Sequence, residues 1–155
     1  MLHKIEPKKV TATGGDFAIV ASCYNARYVE AMVAAAGREL KRAGAKIRII
    51  RVPGAYEIPV AAKRVARTLP EVSGIVCLGV ILRGETVHAA HIGDTVSRAL
   101  MEIQLAYEIP VVHEVLLLEN EAQARVRCLS PKHNRGTEAA QTALAMAEVL
   151  KSLPG

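Results

Sequence analysis

Ile75-Val76-Cys77-Leu78-Gly79-Val80-Ile81-Leu82-Arg83-Gly84-Glu85-Thr86-Val87-His88 is the stretch from which the fold of this chain is read. It opens as an unbroken apolar run, Ile75 to Leu82, the pattern of a strand buried on both faces of a sheet. It then turns through Arg83-Gly84-Glu85-Thr86 and delivers His88 to a helical pattern in which Ile92, Val96, Leu100 and Ile103 share one face. A strand end, a Gly turn and a helix N-terminus make an anion site, because backbone N–H groups without intrahelical partners point outward there. A histidine beside such groups titrates near neutrality and suits proton transfer. The positive helix end favours its neutral, proton-accepting form.

Outward from this stretch, strand and helix patterns alternate. Asp16–Cys23 reads as a strand, and Asn25 is placed to cap the helix that follows. There Val29, Met32, Val33, Ala36 and Leu40 fall at helical spacing before Gly44. Lys46–Val52 is a second strand, ended by Pro53-Gly54, and a helix runs from about Glu57 to Thr68. Gly74–Leu82 is the third strand, Ile109–Leu118 the fourth, and a helix is predicted from about Glu121 to Cys128. The turn Ser130–Gly136 leads to a last helix with Ala140, Ala143, Leu144, Ala147 and Leu150 on one face. Residues 1–14 read as an N-terminal arm able to add a strand to a neighbour's sheet. No repeat or composition break divides the 155 residues, which read as one domain.

This alternation specifies an α/β fold, a flavodoxin-like three-layer αβα sandwich with a four-stranded parallel core sheet. Ligands in such sheets bind beyond the carboxyl ends of the strands. That rule selects Cys23-Tyr24-Asn25, Pro53–Glu57, Val80–His88 and the end of the fourth strand.

Composition narrows the function classes. With 51% hydrophobic and 23% charged residues the chain is globular, and with 3% aromatics its core must be aliphatic. Any aromatic at a strand end therefore needs an explanation. The net charge is +5, but the basic residues are spread along the chain and interleaved with Glu. Lys63, Arg64 and Arg67 read as a solvated helix face, so no nucleic-acid partner is expected, and anionic small substrates account for the charge. The three cysteines show no metal or CxxC spacing, which fits a reducing cytoplasm, and Cys23 is expected to pack. Met1–Pro7 leads into no apolar leader core, and no apolar run is long enough to span a bilayer.

The strand ends carry the candidate residues. Tyr24 and Tyr56 are either packing residues or a stacking platform for a planar heterocycle. Glu57 is either a helix first-turn charge or an acceptor for substrate hydroxyls. Arg83 either caps the exit of the third strand or forms a salt bridge. His88 and His91 share a helix face, but further ligands at useful spacing are missing, and no metal is expected. Arg127, Lys132 and Arg135 are either a solvated basic loop or a phosphate clamp.

Tyr24-Asn25, Val52-Pro53-Gly54-Ala55-Tyr56-Glu57-Ile58-Pro59, Gly79–His88 and Asn134-Arg135-Gly136 with Glu138-Ala139-Ala140 together resemble lumazine synthase, over about Asp16 to Leu153. The resemblance implies the penultimate step of riboflavin biosynthesis. There 5-amino-6-(D-ribitylamino)uracil condenses with 3,4-dihydroxy-2-butanone 4-phosphate without a cofactor or metal. It also implies a cytoplasmic homo-oligomer, a pentamer or a decamer or 60-mer capsid built from pentamers, with sites between subunits, and association with riboflavin synthase. Carried over by position, Tyr24 stacks on the pyrimidine, and Ala55, Tyr56 and Glu57 hold it and its ribityl chain. Val80, Ile81 and Leu82 present backbone groups to the ring, and His113 stands where an aromatic commonly covers it. Glu85 and Thr86 offer N–H groups to the phosphate, Arg127 reaches it from the neighbouring subunit, and His88 moves protons. The chain departs from the pattern at Ala89 and Ala90, at His113, and at Leu129-Ser130-Pro131-Lys132. These departures motivate a second reading, a non-catalytic shell or flavin-binding protein on the same scaffold. A response-regulator-like domain is the third reading, and it lacks the acidic cluster it needs after the first strand.

Overall fold

The two apolar runs Phe17–Ala21 and Ile75–Val80 take the centre of the sheet. In the computed structural model, which describes residues 14–155, they lie in the strands β1 (Asp16–Ser22) and β3 (Val72–Leu82). The more polar β2 (Lys46–Val52) and the amphipathic β4 (Val111–Leu118) take the edges. All pairings are parallel, in the order β2-β1-β3-β4. The arm proposed for residues 1–14 falls, apart from Gly14, outside the described residues.

Helices α1 (Ala26–Arg42) and α5 (Arg135–Ser152) cover one face, packing on Phe17, Ile19, Ala21, Val76 and Leu78. Helices α2 (Ile58–Thr68) and α3 (His88–Tyr107) cover the other, on Ala18, Val20, Ile75 and Cys77. The result is the three-layer, flavodoxin-like sandwich, with its four-stranded parallel sheet. Val29, Met32, Val33, Ala36 and Leu40 of α1 are all buried, and Lys63, Arg64 and Arg67 of α2 are all exposed.

Several local expectations are corrected. Asn25 precedes α1 but makes no side-chain cap: at φ 56° it is left-handed rather than in the extended conformation a capping residue uses. Its Nδ2 instead donates to the Val80 carbonyl at 2.7 Å, tying the start of α1 to β3. Cys23 does not pack; it lies one residue past β1 and is exposed, with its N–H donated to the Val52 carbonyl. β3 begins at Val72 and β4 only at Val111, because Pro110 has no N–H to give a ladder. The helix predicted over Glu121–Cys128 is a short α4 (Glu121–Ala124) that widens into a π-turn, Arg125–Leu129. In α5 the buried face is Ala139, Ala140, Ala143 and Leu144, while Ala147 and Leu150 are only partly buried.

Two features prepare the site. β1 pairs with β3 only as far as Ala21 opposite Leu78, whereas β4 follows β3 to Leu82. The β1-side edge of Val80–Leu82 therefore overhangs, with no strand beside it. At the other end of the chain, α5 sits hard against α1: a Cβ on Gly136 would drive into the Met32 carbonyl. Only glycine allows that approach.

Candidate active site

The overhang of β3 opens a cavity of about 780 Å³ at the carboxyl ends of the strands. Val80, Ile81 and Leu82 form one wall, the turn after β2 forms a second, and the first turns of α3 form a third. Asn25 already holds one lone pair of the Val80 carbonyl, so this wall is fixed to α1.

The second wall is a 3₁₀ turn, Ala55–Glu57, leading into α2. Ala55, Tyr56 and Glu57 all line the cavity. Tyr24 and Tyr56 are 72% and 62% exposed, which excludes packing in the core as their role within the single chain. Gly54 lies flat against the Tyr24 ring, where a Cβ would stand 3.2 Å from Cδ2. Glu57 folds back so that Oε2 accepts from the Gly54 N–H at 2.9 Å. The carboxylate is therefore oriented by the turn it belongs to, with Oε1 left for a ligand. Both readings of Glu57 made from sequence are compatible with this geometry.

His88 is the first residue of α3 and lines the same cavity, with His91 one turn on. Among the described residues the His88 ring has no hydrogen-bond partner; its backbone N–H donates to Thr86 Oγ1 at 3.4 Å. Glu85 and Thr86 stand in the exposed turn before α3 and do not line the cavity. Among the described residues no group of three or more His, Cys, Asp or Glu is arranged to hold a metal ion. Arg83 pairs with Glu119 at 2.7 Å on the surface, the salt-bridge alternative.

Arg127 lies elsewhere. It sits in the middle of the π-turn and lines a second cavity, of about 610 Å³, with Gln123, His133, Arg135 and Glu138. Among the described residues it makes no hydrogen bond or ion pair. Arg135 is different: its Nε and Nη2 hold both oxygens of Glu114 at 3.1 and 2.8 Å, and its Nη1 reaches Glu138 at 2.6 Å. Lys132 does not line this cavity; Arg127 and Arg135 both do, Arg135 with its guanidinium already engaged by Glu114 and Glu138. Glu114, 7% exposed, was missed by sequence reading. Burial raises its carboxyl pKa, and the hydrogen bond and charge of Arg135 oppose that rise. A carboxylate inside the apolar run Val111–Leu118 was the available signal.

His113 is the third residue of β4, nearer its start than its end, and it lines neither cavity. Its Nδ1 accepts from the Val115 N–H at 3.1 Å, so the neutral ring carries its proton on Nε2, which donates to Ser97 Oγ at 2.6 Å. Partial burial lowers its pKa. Ala89, one of the departures from the family pattern, is the second residue of α3 and is buried. The thiols offer no nucleophile in the core, since burial pushes Cys77 up to about 12 and Cys128 up to about 11.

A parallel α/β sandwich with an open cavity at its strand ends, walled by exposed tyrosines, an oriented carboxylate and a histidine whose ring is unpartnered among the described residues, has the layout of the flavodoxin-like class, in which ligands bind at the strand ends. The sequence is more particular. The profile of the 6,7-dimethyl-8-ribityllumazine synthase family matches residues 14–151, and the chain belongs to that family. It is similar to the 6,7-dimethyl-8-ribityllumazine synthase of Stenotrophomonas maltophilia (strain R551-3), 40% identical over 147 residues, covering 93% of this chain and 94% of the relative. It is equally similar to that of Xanthomonas oryzae pv. oryzae (strain PXO99A), 40% identical over 141 residues, covering 89% and 91%. The protein of the same name from Xanthomonas euvesicatoria pv. vesicatoria (strain 85-10) is 39% identical over 145 residues, covering 92% and 94%.

Proposed function

We propose that this chain is the transferase that condenses 5-amino-6-(D-ribitylamino)uracil with 3,4-dihydroxy-2-butanone 4-phosphate to 6,7-dimethyl-8-ribityllumazine in riboflavin biosynthesis. The observation that carries the reading is the β3 overhang, facing two exposed tyrosines with His88 at the rim. A planar pyrimidine fits such a slot: Tyr24 stacks on it, Val80–Leu82 offer backbone groups to its edge, and Ala55, Tyr56 and Glu57 hold the ring and the ribityl hydroxyls. The amine attacks the ketone and water leaves as the imine forms. Phosphate is then eliminated, and the ring closes with loss of a second water. Each step needs a proton moved at the slot's edge, and His88, at the start of α3 beside the Glu85-Thr86 turn, is the group we assign to it. No electrons change hands, so the balance needs no redox cofactor.

The phosphate falls to the N–H groups near Glu85 and Thr86 and to Arg127. Arg127 faces a different cavity from His88 within one chain, so the reading places the site between subunits, with Arg127 and His113 supplied by a neighbour. Exposed Ile49, Val60, Met101, Leu105 and Leu117 support such neighbours. The reading extends to pentamers, alone or as decamers or 60-mer capsids, in the cytoplasm, where association with riboflavin synthase would pass the product on. No helix among the described residues is long and apolar enough to cross a membrane.

Mixing the chain with both substrates tests the reading: lumazine fluorescence must rise with stoichiometric phosphate release. Absence of both from an assembled, folded preparation would overturn it.

A further inference from the structure

Asn134, 8% exposed, is one of three buried polar or charged residues among the described residues, and both polar atoms of its side chain are engaged. Its Oδ1 accepts from the Gly136 N–H at 2.8 Å, capping α5. Its Nδ2 donates to the Cys128 carbonyl at 2.6 Å and to the Ala31 carbonyl of α1 at 3.4 Å. The Cys128 carbonyl belongs to the π-turn Arg125–Leu129, whose last carbonyls have no helical partner ahead of them. Wide turns of this kind are uncommon and frequent at functional sites. Arg127 is the neighbour of Cys128 in that turn. The Cys128 side chain is fully buried, so the backbone at this point is held from both sides, by packing and by Asn134.

We infer that Asn134 is the positioning residue for Arg127: by fixing the Cys128 carbonyl it sets the width of the π-turn and so aims the guanidinium into its cavity. Cap and turn are joined through one amide, so α1, α5 and the π-turn keep a common geometry. The inference rests on the reading above that Arg127 binds the phosphate of the four-carbon substrate.

Asn134→Ser separates the two jobs of the residue, because serine still caps a helix but cannot donate to the distant Cys128 carbonyl. Asn134→Asp is the second variant; it keeps the acceptor for Gly136 and sets a carboxylate against two carbonyls. The expected result is a rise of about tenfold in KM for 3,4-dihydroxy-2-butanone 4-phosphate, with KM for the pyrimidine unchanged. In the Arg127→Ala background either substitution should add nothing further to that KM. Equal rises for both substrates, an undiminished effect without Arg127, no effect at all, or failure of both variants to assemble would each overturn the inference. If Arg127→Ala alone leaves the KM unchanged, the phosphate reading fails instead, which keeps the two failures distinct.

Discussion

At the residue scale, the site divides into side chains whose positions were legible and side chains whose partners were not. Tyr24, Tyr56, Glu57 and His88 are read from sequence because strand ends are local features, and the structure brings all four to one cavity. The partnership of Glu114 with Arg135 was not legible, since β4 and α5 meet only in the tertiary fold. On the proposed chemistry, His88→Ala should cut kcat about a hundredfold while leaving the Kd for the pyrimidine within about twofold; single-turnover fluorescence and a binding titration separate the two. Arg127→Ala should raise KM for the phosphorylated substrate alone, by about tenfold or more. His113 carries a pH signature. Its folded-state pKa lies below 6.5, so the unfolded chain binds its proton first, and stability falls as pH drops below that value. His113→Phe has no such proton to bind, and its urea midpoint should fall less than the wild type's between neutral and mildly acid pH. Parallel pH profiles would show that the ring is not in the environment described.

At the element scale, apolar runs and periodicity located the four described strands and the long helices, because burial is written into each segment. It failed where the backbone itself is unusual. A helical pattern over Glu121–Cys128 does not reveal that its second half is a π-turn, as the apolar spacing of the two conformations barely differs over so few residues. Nor does Asn25 reveal its left-handed conformation, because the residue type that caps helices is also the one that tolerates positive φ. The α1–α5 contact makes the sharpest prediction here. Gly136→Ala has no low-cost relief, since the obstacle is the Met32 backbone rather than a movable side chain. It should cost about 3 kcal/mol or more, or prevent folding; a melt of the purified variant within a few degrees of wild type would contradict the packing described.

At the scale of the whole molecule, the parallel sheet and the layering followed from the alternation of segments, while the strand order β2-β1-β3-β4 and the apportioning of the site did not. One face of the chain holds Tyr24, Tyr56, Glu57 and His88, and another holds Arg127 beside the Glu114–Arg135–Glu138 cluster. Light scattering on the purified chain should show a multiple of five subunits, and a stable monomer would remove the basis for a shared site. The separate placement of the two cavities also has a genetic consequence. On the proposed shared site, a His88→Ala chain with low kcat and an Arg127→Ala chain with raised KM would heal one another when co-assembled. Random mixing in equal amounts leaves about a quarter of the junctions with both residues intact. At substrate levels below the raised KM, two defective alleles in one cell would then make more product than either allele alone, whereas a site completed within a single chain would give no more than the average of the two.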